Sequence, residues 1–191
     1  MTNNLLIKVC GITRPCDAEA CVASGVDFCG FVFHAASPRF IAPEKVATIA
    51  TDTLKRVGVF TTQNVDEIRY AMDIARLDYA QLHANQSDAV VATIGAERVI
   101  RVCFDYPRAT TAQTAYHLFD KPFDWRQFNR PVFTTPTLIA GGLNAANIPE
   151  LLSRCQPAGV DLNSGVEERP GIKDAHKLHA ALDAIRQHTF K

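Results

Sequence analysis

Two residues that could exchange protons with a small molecule lie at the ends of apolar, strand-like runs. Cys10 ends the first such run, and Asp120 comes directly after the sixth, Tyr116–Phe119. A thiolate can act as general base and a carboxylic acid as general acid, without a metal or a cofactor. Taken singly, Cys10 could be a buried thiol and Asp120 a turn or helix-capping residue. Together they predict a catalytic pair, and we expect no cofactor.

Two segments that follow later apolar runs could bind phosphate. Gly141 and Gly142 follow the seventh run, and Asn163 and Ser164 follow the eighth. Glycines let the backbone approach a ligand closely, and N–H groups at the start of a helix attract anions. In barrels of parallel strands, the loops after strands seven and eight commonly hold phosphate. One Gly-Gly pair alone would usually be a turn, but two such segments at both expected places predict a phosphate site.

Arg39, within Ser37-Pro38-Arg39, is a candidate for binding a carboxylate. The planar guanidinium matches the geometry of a carboxylate, and Pro38 stiffens the loop. A solvated surface arginine is the alternative. No zinc spacing exists among the six cysteines, so we expect no metal; they are Cys10, Cys16, Cys21, Cys29, Cys103 and Cys155.

The elements that must position these residues alternate along the whole chain. Eight strand-like runs are predicted, at Leu5–Cys10, Asp27–Phe33, Arg56–Phe60, Tyr79–His83, Arg98–Cys103, Tyr116–Phe119, Thr137–Ala140 and Gly159–Leu162. Helical patterns separate them, with start signals at Pro43, Asn64, Asn144 and Asp174 and a stop signal at Gly25. Alternating strands and helices predict a parallel sheet covered by helices, and eight units favour a closed (β/α)₈ barrel, a TIM barrel.

The barrel is expected to be one domain over residues 1–191, in a short version. A typical barrel of this kind has about 250 residues, whereas this chain has 191. The fifth and sixth units look trimmed, with room for only a brief helix between Phe104 and Ala115 and a fast turn after Asp120.

Charge and hydropathy restrict the kind of partner. Twenty basic and twenty acidic side chains cancel, so no global field recruits nucleic acid or an anionic membrane surface. No apolar stretch reaches the roughly 18 residues that span a bilayer. We therefore expect a cytoplasmic protein with a small-molecule ligand, acting as a monomer or homodimer.

The motifs as an ordered set resemble those of the phosphoribosylanthranilate isomerase family. The resemblance spans nearly the whole chain and rests on Lys8-Val9-Cys10-Gly11-Ile12-Thr13-Arg14, Gly30-Phe31-Val32-Phe33 with Ser37-Pro38-Arg39, Val57-Gly58-Val59-Phe60, Gln81-Leu82-His83, His117-Leu118-Phe119-Asp120, Phe123-Asp124-Trp125, Ala140-Gly141-Gly142-Leu143-Asn144 and Gly159–Glu167 with Pro170–Asp174.

This resemblance implies an Amadori rearrangement in tryptophan biosynthesis. N-(5-phosphoribosyl)anthranilate would become the carboxyphenylamino-deoxyribulose 5-phosphate. In the family, an acid opens the furanose ring to a Schiff base, and a cysteine then removes the C2 proton. By motif, Cys10 would be the base and Asp120 the acid, while Arg39 would hold the anthranilate carboxylate. The phosphate would lie against Gly141, Gly142, Asn163 and Ser164, and Lys8, His83 and Asp161 would contact the rest of the substrate.

A buried ion pair is predicted beneath this site. If Cys10 points into the barrel, alternation along the strand puts Lys8 on the same inner face. A buried ammonium needs a nearby anion, and Asp161 lies on the strand that neighbours the first one in a closed barrel. We expect these two side chains to pair, to orient the ribulose hydroxyls and to bias Cys10 toward its thiolate. The alternative is that one of them faces outward and caps a helix.

The chain also departs from the family pattern. The longer Gly-rich loop that normally follows the acidic residue is missing, and Asp124 lies close enough in sequence to compete with Asp120. Ala84 and Asn163 stand where the family usually has Gly and Ser. Two other functions stay open: a barrel without this loop that binds a phosphorylated ligand with weak or no isomerase activity, and another sugar-phosphate isomerase on the same fold.

Overall fold

Eight parallel strands close into a barrel in the computed structural model, which describes residues 5–84, 86–104, 113–120, 124–129 and 131–189. The strands are β1 Leu6–Val9, β2 Phe28–Val32, β3 Lys55–Phe60, β4 Tyr79–Leu82, β5 Val99–Cys103, β6 Tyr116–Phe119, β7 Thr137–Ile139 and β8 Gly159–Leu162. Each strand pairs with the next, and β8 pairs with β1. The predicted (β/α)₈ barrel is confirmed, and every predicted strand is found with ends that differ by no more than one residue.

Six helices lie between or after the strands of the described chain. They are α1 Pro15–Ala23, α2 Pro43–Ala47, α3 Val65–Ile74, α4 Asp88–Ile94, α5 Ile148–Arg154 and α6 Ala175–Thr189. Most start and stop signals are confirmed. Asn64 and Glu67 form a full capping box at α3, the Asp174 carboxylate accepts N–H bonds from the first turn of α6, and Gly25 follows α1 with φ +67°. No described helix has the length and hydropathy needed to span a bilayer.

The start signal at Asn144 acts one turn earlier than the helix itself. Its side chain accepts a hydrogen bond from the Ala146 N–H, 2.9 Å away, and so closes a turn that leads into α5. The helix begins only at Ile148, because Pro149 fits the first helical turn and Asn147 precedes it.

The sixth unit is trimmed as predicted. Among the residues described between β6 and β7, the only helical segment is a single 3₁₀ turn, Trp125–Gln127. Trp125 and Phe128 are buried there, and Phe128 makes edge-to-face contacts with Phe119 and Phe133. This aromatic cluster covers the barrel where a helix would otherwise pack. The brief helix predicted between the fifth and sixth strands lies largely outside the described residues.

A short antiparallel hairpin after β8 was not predicted. A 3₁₀ turn, Ser164–Val166, leads into β9 Glu167–Arg169, and β10 Ile172–Lys173 returns antiparallel to it. Gly171 makes the reversal with φ +82°. Two charged residues of this hairpin, Glu167 and Lys173, are buried, and both belong to the candidate site.

The barrel interior is apolar near the amino ends of its strands and polar near their carboxyl ends. Phe28, Tyr79 and Tyr116, from alternate strands, meet edge to face with ring centroids 5.8–5.9 Å apart. Further along the strands, Lys8, Gln81 and Asp161 are buried polar residues. The apolar layer supports a polar floor, on which a ligand can be recognised from the open end.

Candidate active site

Cys10 lies at the carboxyl end of β1 and is 5% exposed. Its N–H donates to the carbonyl of Leu162 over 2.8 Å, which ties it to the end of β8. The thiol packs over Gly30 on β2: a Cβ at that glycine would lie only 2.8 Å from Cys10 Sγ. Gly30 therefore makes room for the thiol, a role that sequence reasoning did not assign.

Lys8 and Asp161 form the predicted ion pair. They are register partners on β1 and β8, and Lys8 Nζ lies 2.8 Å from Asp161 Oδ2. The two side chains are 0% and 5% exposed. Burial disfavours the charged form of Lys8, but Asp161 and Cys10 outweigh it, so the pKa of Lys8 is raised and the ammonium persists. The prediction that these residues pair inside the barrel is confirmed.

The expected bias of Cys10 toward its thiolate is wrong in net effect. Burial is the largest influence and raises the pKa of Cys10; the Lys8 ammonium lowers it, the Asp161 carboxylate raises it and the Lys173 ammonium lowers it. Burial wins because a thiolate in this closed position loses its hydration. The two lysines limit the rise of the Cys10 pKa but do not reverse it.

Asp120 and His83 lie together at the mouth of the barrel. Asp120 Oδ2 is 3.9 Å from His83 Nε2, and the side chains are 29% and 28% exposed. Burial lowers the pKa of His83 although Asp120 opposes the shift, so the imidazole is neutral at pH 7. Lys8 and Asp161 also act on this pKa, which places His83 and Asp120 within electrostatic range of the buried pair.

Asp124, the competitor of Asp120, has a local structural role. Its carboxylate accepts the N–H of Arg126 over 3.0 Å at the start of the Trp125–Gln127 turn. It also pairs with the Arg126 guanidinium, 3.5 Å away. Asp120 therefore lies next to His83, whereas Asp124 caps the Trp125–Gln127 turn.

Arg39 is paired with a buried carboxylate that sequence reasoning did not select. Its Nε lies 3.0 and 3.2 Å from the two Glu167 carboxylate oxygens, and its Nη2 lies 2.6 Å from Oε2. The side chains are 19% and 4% exposed. Arg39 is therefore not a solvated surface arginine. One edge of the guanidinium faces Glu167, and the edge formed by Nη1 and Nη2 points elsewhere.

Glu167 continues the network toward the loop after β8. It accepts hydrogen bonds from Lys173 Nζ at 2.9 Å and from the Gly171 N–H at 3.1 Å. Lys173 Nζ also lies 3.1 Å from Asn163 Oδ1. Burial alone would raise the pKa of Glu167, but hydrogen bonds from Arg39 and Lys173 lower it below its usual value. The sequence did contain a signal for this hairpin: Glu167 and Lys173, of opposite charge, lie on either side of the turn residues Pro170-Gly171.

The two predicted phosphate segments pack against each other. Gly141 and Gly142 have φ of +107° and +74°, so the first loop depends on glycine. In the second loop, a Cβ at Gly165 would collide with the backbone carbonyl of Leu143. Asn163 and Ser164, which open the 3₁₀ turn after β8, therefore lie next to the loop after β7. The structure brings all four candidate phosphate residues to one side of the mouth.

Three buried polar atoms at this end of the barrel have no hydrogen-bond partner in the described part of the chain. They are Gln81 Oε1, His83 Nδ1 and Asp161 Oδ1. Buried polar atoms are nearly always paired, so a ligand hydroxyl or a water is the expected partner. Gln81 was not a predicted site residue. Within the described ranges, no cluster of His, Cys, Asp or Glu is suited to a metal ion.

This arrangement can transfer protons on an anionic, hydroxyl-bearing ligand. A thiol and a carboxyl group lie at the mouth, and a fixed arginine and glycine loops stand nearby. The hydrogen-bonding atoms without partners match the hydroxyl groups of a sugar.

Comparisons with known proteins agree with this chemistry. Residues 7–184 match the family model described as N-(5'phosphoribosyl)anthranilate (PRA) isomerase. A relative of that name from Desulfovibrio desulfuricans is 42% identical over 93% of this chain and 94% of its own length. The relative from Maridesulfovibrio salexigens is 40% identical over 96% of this chain and 100% of its own length.

Solved structures extend the agreement to the fold. Phosphoribosyl anthranilate isomerase from Thermus thermophilus superposes with a TM-score of 0.82 at 32% identity, covering 96% of this chain and 99% of its own. Another solved member, described as a complex with reduced 1-(o-carboxyphenylamino)-1-deoxyribulose 5-phosphate, has a TM-score of 0.80 at 29% identity and covers 96% of this chain and 99% of its own. The chain belongs to the N-(5'-phosphoribosyl)anthranilate isomerase family.

Proposed function

We propose that this chain converts N-(5'-phosphoribosyl)anthranilate to 1-(2-carboxyphenylamino)-1-deoxyribulose 5-phosphate in tryptophan biosynthesis. It is an aldose–ketose isomerase by family. The observation that carries the assignment is the position of Cys10 at the barrel mouth, above the Lys8–Asp161 pair. A buried thiol beside an ion pair suits proton removal from carbon better than phosphate or hydride transfer.

The reaction needs two protons delivered, to the ring oxygen and to C1, and two removed, from C2 and from its hydroxyl group. Asp120 donates a proton to the furanose ring oxygen, and the C1–O bond breaks to leave a Schiff base. Cys10, as thiolate, then takes the proton from C2, and the electron pair forms the enolamine. Protonation of that intermediate at C1, with loss of the proton from the C2 hydroxyl, gives the ketone. Asp161 and His83, which carry unpartnered polar atoms, hydrogen-bond the ribulose hydroxyls.

The two anionic groups of the substrate would lie on separate but neighbouring parts of the mouth. Arg39 offers its free guanidinium edge to the anthranilate carboxylate, in the manner of a bidentate pair. The phosphate lies against Gly141 and Gly142 on one loop and Asn163 and Ser164 on the other. The close packing of these loops supports a single phosphate site.

Neither alternative function is favoured. A plain sugar phosphate has no carboxylate for Arg39 to bind, which argues against another sugar-phosphate isomerase. A barrel that binds but does not isomerise would have no need for a thiol, an acid and a buried cation together. The identity of 40–42% to relatives named as this isomerase supports the active reading.

A turnover assay on purified protein with freshly made phosphoribosylanthranilate tests the function. We expect product to form in the wild type. Absence of turnover in a folded wild-type protein, with product still bound, would favour the barrel that binds without isomerising.

We also propose that residues 1–191 act as one barrel domain, as a monomer or homodimer. Sedimentation of the active protein at two concentrations would separate these two states. Cooperative unfolding in one transition is expected for a single domain.

A further inference from the structure

We infer that Glu167 and Lys173 are positioning residues that hold the carboxylate-binding arginine and the phosphate loop in one fixed relation. The substrate preference for a molecule that carries both anions would then depend on a hairpin that touches neither. This inference rests on the proposed function for the identity of the two anions.

The network is a continuous series of short polar contacts. Arg39 contacts Glu167 through two parallel hydrogen bonds, Glu167 contacts Lys173 at 2.9 Å, and Lys173 contacts Asn163 Oδ1 at 3.1 Å. Lys173 Nζ also lies 3.5 Å from the Asn163 carbonyl. The series therefore starts at the loop after β2 and ends at the loop after β8, which are the carboxylate and phosphate sides of the mouth.

Burial makes these contacts rigid. The Lys173 and Glu167 side chains are 2% and 4% exposed, so neither charge can exchange its partner for water. Glu167 also accepts the Gly171 N–H at the turn of the hairpin. A carboxylate held by donors from three residues cannot rotate without leaving a buried charge unpaired.

The same contacts fix the orientation of the Arg39 guanidinium. Glu167 takes the edge formed by Nε and Nη2, so the edge formed by Nη1 and the second Nη2 hydrogen remains for another planar anion. Without Glu167 the long arginine side chain would have several positions of similar energy. Preorganisation of this kind lowers the entropy lost when the ligand binds.

The charges of the network favour an anion on that remaining edge. Arg39 and Lys173 carry two positive charges, and the carboxylate that both contact carries one negative charge. Gly11 leaves room for Arg39 and Asn163 to approach each other, because a Cβ there would lie 2.7 Å from Arg39 Cδ and 2.9 Å from Asn163 Oδ1. Arg39 and Asn163 are thus near neighbours across one glycine, and a change in either one reaches the other.

The test compares Glu167→Gln with Glu168→Gln, the exposed acid next to it on the same hairpin. Three ligands are titrated: the carboxylated product, its analogue that lacks the ring carboxylate, and inorganic phosphate. In Glu167→Gln we expect the preference for the carboxylated ligand to fall at least fivefold and kcat/KM at least tenfold. Affinity for inorganic phosphate should stay within twofold. Glu168→Gln should match the wild type in all four measurements.

Lys173→Met tests the other half of the series. It should weaken the binding of inorganic phosphate and also reduce the preference for the carboxylated ligand. Both effects are expected because Asn163 and Glu167 each lose their contact with Lys173. If Glu167→Gln does not fold by circular dichroism, Glu167→Asp carries the same comparison, since it keeps the charge and shifts it by one methylene.

Two results would overturn the inference. One is an unchanged carboxylate preference in folded Glu167→Gln, and the other is an equal loss for all three ligands. Wild-type turnover is measured first. A wild type that does not turn over refutes the proposed function, whereas a wild type that turns over with an unchanged preference in the variant refutes only the positioning role.

Discussion

At the residue scale, Cys10 combines two opposed influences. Burial and the Asp161 carboxylate raise the pKa of its thiol, and the ammonium groups of Lys8 and Lys173 lower it. A base with a raised pKa is a stronger proton acceptor once it is ionised, but a smaller fraction is ionised at pH 7. The lysines therefore limit the loss of thiolate that burial causes at pH 7. Burial in turn makes the thiolate a stronger proton acceptor.

Cys10→Ala should lower kcat by a factor of at least about 100, because a positioned general base contributes about 10²–10⁴. Cys16→Ala is the matched control, since Cys16 is exposed on α1. Steady-state kinetics on both variants, with circular dichroism to verify folding, measure the difference. Near-normal turnover in folded Cys10→Ala would remove the thiol from the mechanism.

The raised pKa of Cys10 predicts the direction of the pH profile. The thiolate fraction of Cys10 should still be rising at pH values above the ordinary thiol value of 9.0, because burial raises the pKa of this thiol. Thiolate absorbance, with Cys10→Ala as the blank, reports the same ionisation without turnover. A Cys10 thiolate already complete at pH 7 would contradict the burial argument.

Gln81→Leu tests whether its unpartnered oxygen serves the ligand. Gln81 is 2% exposed, and its Oε1 has no hydrogen-bond partner in the described chain. Replacing an unsatisfied buried acceptor by an apolar group should leave stability unchanged or raise it by about 1 kcal/mol. If the oxygen accepts a substrate hydroxyl, kcat/KM should fall about tenfold. A less stable protein with normal kinetics would make Gln81 a structural residue.

At the scale of the elements, two loops and a hairpin build the anion side of the mouth. The loops after β7 and β8 touch through Gly165, where a side chain would meet the Leu143 carbonyl. The hairpin β9–β10 returns Lys173 to the second loop and Glu167 to Arg39. None of these segments could form the site alone, because each is held in place by contacts with another.

Gly165→Ala should therefore push the two loops apart. Overpacking of this kind costs about 1–3 kcal/mol, and we expect KM to rise more than kcat falls. Gly25→Ala is the control: it also strains the backbone, at φ +67°, but no atom lies within 4 Å of the added Cβ. It should lose about 1 kcal/mol and keep normal kinetics. If both variants have the same KM and kcat, the contact between the two loops does not contribute to phosphate binding.

At the scale of the whole molecule, long-range ion pairs join the ends of the chain. Lys8 pairs with Asp161 across the β1–β8 seam, and Arg39 pairs with Glu167. The barrel closes where these contacts form. Among the described residues of the sixth unit, an aromatic cluster around Trp125 and Phe128 packs where other units of the barrel carry a helix.

The lowered pKa of Glu167 predicts how stability depends on acid. A carboxyl group with a lower pKa in the folded state stabilises the fold above its unfolded value of 4.5. This contribution is lost as the pH falls from 4.5 through the folded pKa. Urea unfolding at pH 7 and at pH 3 measures it, and Glu167→Gln should reduce the difference between the two. Glu168→Gln, an exposed control, should behave like the wild type.

Local sequence patterns determined the elements and the order of the barrel. Strand ends were predicted to within one residue, because apolar runs of strand length, bounded by turn and capping residues, depend only on neighbours in the chain. Alternation along a strand also predicted that Lys8 lies on the face of Cys10, and barrel closure supplied Asp161 as its partner. Cys10 and Asp120 could be recognised as candidate catalytic residues because each follows directly on an apolar run of strand length.

Tertiary structure alone decided what each charge meets. The sequence could not show that Arg39 lies against Glu167, because 127 residues separate them in the chain and contact depends on how the hairpin folds back. It could not show that burial outweighs two lysines at Cys10, because desolvation depends on every atom packed around the thiol. Nor could it separate Asp120 from Asp124. In the structure the Asp124 carboxylate contacts Arg126, and the Asp120 carboxylate lies beside His83.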